Sequence, residues 1–101
     1  MKLVIVTAVK EYQDKVLKVF QQSGIENFSS SSIDGYKNQS SIITAQSWFP
    51  SVKGGNQSLM YFSFTQQELI ESLLKKIKEL NAQLEGYNPI RAIVLPIEQF
   101  V

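Results

Sequence analysis

An α+β domain of order β-α-β-β-α-β is predicted by three patterns. Four short runs rich in β-branched or aromatic residues read as strands, two runs with apolar residues at spacings of three and four read as helices, and each helix lies between two strands. The chain of 101 residues is 44% hydrophobic and 19% charged, which suits one domain over residues 1–101. Folding at this size takes roughly 65% of the unfolded surface out of water. The resulting core is real but marginal, so self-association is expected.

Residues 2–9, Lys-Leu-Val-Ile-Val-Thr-Ala-Val, open the chain as a strand covered on at least one face. From Glu11 the period changes: Tyr12, Val16, Val19 and Phe20 make one helical face, with Gln13, Asp14, Lys15 and Lys18 between them. Gly24 is placed to end that helix in a left-handed cap. Residues 28–34 read as a polar edge strand, because Ser29, Ser30, Ser31 and Ser32 stand between Phe28 and Ile33. A short linker is the alternative. In residues 59–64, Met60, Phe62 and Phe64 fall on one face and Tyr61 and Ser63 on the other.

Thr65-Gln66-Gln67-Glu68 has the form of a capping box. Leu69, Ile70, Leu73, Leu74, Ile77, Leu80 and Leu84 then trace one wide apolar stripe. Lys75, Lys76 and Lys78 are expected on the solvated side and in the last turns, facing the negative end of the helix dipole. Gly86 ends the helix, Pro89 forbids its resumption, and residues 90–97 form the last strand. This order is the split βαβ arrangement called ferredoxin-like: a four-stranded antiparallel sheet with two helices on one face. Leu3 and Ile5 project opposite to Val4 and Val6, so the second sheet face is a candidate oligomer interface.

Composition removes several functions. Ten Lys+Arg against nine Asp+Glu leave a net charge of +1, with no long basic run, which argues against nucleic-acid binding. The chain has no Cys and no His, so disulfides, thiolate chemistry and the usual zinc ligands are missing. The apolar start is too short to span a membrane, and Lys10 and Glu11 interrupt it before a signal-peptide pattern forms. A soluble cytoplasmic domain is expected, without direct membrane insertion.

Residues 36–58 are longer than a plain connection. They are rich in Ser, Gln and Asn, with Gly54-Gly55 near the end and Lys37 and Lys53 as the only charges. Ile42, Ile43, Trp48 and Phe49 are unusual in a purely flexible hairpin. Three readings stay open: Trp48 and Phe49 patch the core or a subunit interface, they dock a partner, or the segment is disordered.

Two stretches resemble the PII signal-transduction family, and in particular its degenerate PII-like members. That family leaves its second strand as Gly-Phe-Gly-Arg-Gln; here the residues are Gly35-Tyr36-Lys37-Asn38-Gln39. Its last strand reads Lys-Ile-Phe-Val-x-Pro-Val-Glu, against Arg91-Ala92-Ile93-Val94-Leu95-Pro96-Ile97-Glu98 here. The resemblance covers the whole chain, and the 36–58 segment lies where the family carries its mobile T-loop. It implies a homotrimer with ligand clefts between subunits, and a loop that docks on protein partners such as membrane transporters. Gly35, Lys37, Gln39, Gly86 and Arg91 would then line the cleft, with Arg91 in place of a phosphate-contacting Lys. Trp48, Phe49 and Lys53 would contact the partner.

The family ligand is an adenine nucleotide, but its phosphate loop, Thr-Gly-x-x-Gly-Asp-Gly-Lys, is here Glu85-Gly86-Tyr87-Asn88-Pro89-Ile90-Arg91. Two glycines are lost, and Pro89 removes a backbone donor. The second Gly of the strand-two exit is Lys37, and the modified tyrosine of the family has no counterpart. These departures argue against ordinary ATP or ADP sensing, and no other cofactor is indicated.

No enzyme signature stands out. The nine carboxylates are scattered, mostly beside basic residues. Asp34 reads as a turn former, and Glu98 as half of an ion pair with Arg91 or a neighbouring subunit. Acylphosphatases carry an Arg in the first strand–helix turn, where this chain has Thr7-Ala8-Val9-Lys10. The small CRISPR-associated nucleases of this topology carry an acid at the end of strand one, here Thr7 or Ala8. The leading expectation is a non-enzymatic PII-like regulator. The alternatives are a small-metabolite-binding module of the ACT type and a purely structural oligomer.

Overall fold

The computed structural model describes residues 1–34, 57–84 and 88–101. In chain order these form β1 (Lys2–Val9), a 3-10 turn (Lys10–Tyr12), α1 (Gln13–Gln22), β2 (Ser29–Ile33), β3 (Ser58–Thr65), α2 (Gln67–Gln83) and β4 (Arg91–Pro96). The strands make one sheet of order β2-β3-β1-β4, and every neighbouring pair is antiparallel. This is the expected ferredoxin-like arrangement.

Residues directly opposite each other in an antiparallel pair share a sheet face. The helix-facing side carries Val4, Val6 and Ala8 of β1 with Leu59 and Tyr61 of β3, all buried. Val16, Val19 and Phe20 of α1 and Ile70, Leu73 and Ile77 of α2 close over them as one core. The alternation read in β3 holds. Tyr61 lies on the core side because its ring fills the space beside Phe20 and Phe28, with centroids 5.8 and 6.4 Å away. Phe20 and Phe28 themselves stack at 4.5 Å. Burying each such side chain contributes about 1.5–3 kcal/mol.

α1 ends as its glycine predicts. Gly24 has φ +80°, its N–H reaches the Gln21 carbonyl at 3.1 Å, and the Ile25 N–H reaches Phe20 at 3.2 Å. These two bonds form a Schellman motif, with buried Ile25 and Phe20 as its apolar pair. β2 is the edge strand expected, and its four serines are exposed.

Four expectations need correction. The capping box is not formed: β3 runs on through Thr65, which pairs with Lys2, so Gln66 becomes the N-cap and bonds with its backbone only. The lysines of α2 miss its last turn, which holds no basic residue because residues 80–83 are Leu-Asn-Ala-Gln. Leu84 is the extended C-cap rather than a helical residue, although it still packs on the core. Glu98 cannot pair with Arg91 in the same chain: Arg91 begins β4 and Glu98 lies past its end, and a strand rises about 3.3 Å per residue. The expected helix stop at Gly86 lies outside the described residues.

Candidate functional site

Two features of the sheet define the candidate site: its uncovered face, and the end at which its long connection is rooted. Three cross-strand rows make up the face opposite the helix-packed core; this face is exposed at its Phe64–Leu95 end and buried at Thr7. Leu3 stands between Phe64 and Leu95, Ile5 between Phe62 and Ile93, and Thr7 between Met60 and Arg91. Ser29 and Ser31 of β2 extend the lower rows. Phe64 is 57% and Leu95 43% exposed, and Phe62 and Phe64 meet edge to face at 6.3 Å. Seven apolar side chains thus share the face opposite the helix-packed core and stand outside that core cluster.

The apolar rows end in a polar one. Thr7, Met60 and Arg91 lie toward the end where β1 and β2 finish and β3 and β4 begin. The same end holds Asp34 and Gln57, which flank the undescribed stretch of the 36–58 segment. The Lys10 N–H donates to the Gln57 carbonyl at 3.0 Å, which ties the turn before α1 to the start of β3. Neighbouring strands are about 4.8 Å apart, so Arg91 on β4 lies roughly 10 Å across the sheet from β3. Arg91, Lys10 and Asp34 are all exposed toward this end of the sheet, but Arg91 is on the β4 edge and Asp34 follows β2 on the opposite edge, three strand spacings or about 14 Å across.

Of the residues singled out from sequence, Arg91 alone can be placed: exposed, first in β4, on the uncovered face. Gly35, Lys37, Gln39, Trp48, Phe49, Lys53 and Gly86 lie outside the described residues.

Asn81 was not singled out, yet it positions the start of β4. Its Nδ2 donates to the Ile90 carbonyl and its Oδ1 accepts the Ile90 N–H, both at 2.8 Å. The carboxamide thus mimics a strand partner and fixes the residue before Arg91 against α2. The only signal in the sequence is a carboxamide on the flank of an otherwise apolar stripe.

Among the described residues there is no group of three or more His, Cys, Asp or Glu able to hold a metal. No described helix is long and apolar enough to cross a membrane.

No family model matches the chain, and no curated protein matches it in sequence. Solved structures do match. A PII-like signalling candidate from Thermus thermophilus superposes with a TM-score of 0.64 at 15% identity, covering 92% of this chain and 82% of its own. The fold is PII-like. A DUF3240 family protein from Shewanella baltica gives a TM-score of 0.65 at 17% identity, covering 99% of this chain and 92% of its own. Identities this low establish the PII-like fold and leave the chemistry to the residues.

Proposed function

We propose that this PII-like chain is a non-enzymatic cytoplasmic regulator that assembles as a homotrimer through its uncovered sheet face. Its 36–58 segment docks on a protein partner, and a small ligand between subunits biases that segment. The observation that carries the reading is that Lys10, Asp34, Gln57 and Arg91 lie toward the same end of the sheet, where the long connection leaves β2 and returns to β3. A ligand bound there touches the flanks of the segment and shifts its population only if it prefers one of its states.

Roles follow by resemblance. Gly35, Lys37, Gln39, Gly86 and Arg91 line the cleft, and Arg91 offers a two-pronged donor to an anionic group. Trp48, Phe49 and Lys53 contact the partner, for which a membrane transporter is the favoured class. Residues 1–101 act as one domain, with an adenine nucleotide as the first ligand to try.

Trp48 is the sole tryptophan, so its fluorescence reports on the docking segment. Titration with ATP, ADP and AMP tests the cleft: the loss of two phosphate-loop glycines predicts no response, and a saturable change weakened about tenfold or more in Arg91→Gln would assign a nucleotide to it. If no nucleotide alters Trp48 emission, nucleotide control is discarded. If Trp48→Ala leaves partner affinity unchanged, docking through this segment is discarded as well.

A further inference from the structure

The helical layer carries a groove that the reading above does not use. It lies between α1 and α2, is open to solvent and offers about 280 Å³. Three ammonium groups line it, from Lys15 and Lys18 on α1 and Lys76 on α2, against the single carboxylate of Glu79. The lining therefore carries +2, more than the +1 of the entire chain. Gln22 and Gln83 add carboxamides at the walls, while Val19 and Leu80 supply an apolar floor.

We propose that this groove is a second docking site, and that its occupant is an acidic peptide segment of a partner protein. Charge complementarity selects an anion, and the shape of the groove selects a peptide over a small ion. Lysine is a hydrated point charge without the fixed fork of arginine, and a single exposed contact contributes little. Binding therefore needs several carboxylates carried on one chain, together with an apolar group on the floor. The length fits. From Lys15 to Gln22, α1 rises about 10 Å, the span of roughly three extended residues. The groove is also on the opposite side of the sheet from the uncovered apolar face, so self-association through that face leaves it open.

The probe is a fluorescein-labelled peptide of Glu-Glu-Leu repeats, followed by anisotropy on the full chain, with Gln-Gln-Leu repeats as the neutral comparison. The acidic peptide is expected to bind and the neutral one not to bind. Lys15→Gln/Lys18→Gln/Lys76→Gln should weaken the acidic peptide about tenfold or more, whereas Lys2→Gln/Lys75→Gln/Lys78→Gln, which removes the same charge elsewhere, should cost less than about twofold. Gln is a good helix former, so both variants keep the helices. Equal losses in the two variants would mean generic charge attraction and overturn the proposal. So would undiminished binding in the first variant, or displacement by citrate as effective as by unlabelled peptide, which marks a small-anion site. None of these results depends on the oligomeric state or on the 36–58 segment.

Discussion

The hydroxyl of Tyr61 is a buried side-chain oxygen without a hydrogen-bond partner among the described residues, in a core otherwise built from aliphatic and aromatic groups. Burial raises its pKa above the ordinary value of 10.0, and the nearby charge of Asp14 adds to the rise. The folded state therefore holds the phenol proton more tightly than the unfolded chain. That contribution is fully present below about pH 10 and is lost as pH rises through the raised value. Tyr61→Phe keeps the ring against Phe20 and Phe28 and removes the unpaired oxygen. Urea unfolding at about pH 7 is expected to show the variant as stable as the parent, or more stable by about 1 kcal/mol. Repeated above about pH 10, the gap should widen in favour of the variant. A destabilised Tyr61→Phe at both pH values would mean that the hydroxyl has a partner in solution.

At the level of elements, local signals were readable and long-range ones were not. Gly24 announced its cap because a left-handed residue is a property of a few neighbouring positions. The capping box at Thr65 failed for a tertiary reason: pairing with Lys2 draws Thr65 into the sheet, and a strand contact overrides a local cap preference. The bond between Asn81 and Ile90 spans nine positions, and its geometry depends on how the chain returns to β4. Nothing in the sequence around Asn81 encodes that return. Asn81→Ala leaves the Ile90 N–H and carbonyl partly buried without their side-chain partner, at a cost of about 1–3 kcal/mol. Hydrogen exchange at the Ile90 amide should accelerate by more than the global loss of stability explains. An unchanged rate would mean that α2 does not hold the start of β4.

Over the whole molecule, strand order and the division into a core face and an uncovered face were legible, because both follow from alternation and from two amphipathic helices needing one side. Which face of β3 becomes the core was not obvious, since Met60, Phe62 and Phe64 are together more apolar than Leu59, Tyr61 and Ser63. The helices cover the Tyr61 side, and on the other side Phe64 is exposed while Met60 and Phe62 are half-buried among the described residues. Part of that exposure is concentrated in Phe64 and Leu95 in one cross-strand row. The candidate site was legible only in Arg91, since the other residues named for it fall outside the described segments.

Light scattering on the parent chain and on Phe62→Asp tests the central claim, assembly through the uncovered face, most directly. A charge placed in the middle apolar row has no partner once that row is covered, so it opposes association far more than folding of the single chain. The parent is expected at three times the 11.5 kDa chain mass, and Phe62→Asp at the mass of one chain with its circular dichroism retained. A parent that runs as a monomer or dimer, or a Phe62→Asp that remains a trimer, would contradict the account.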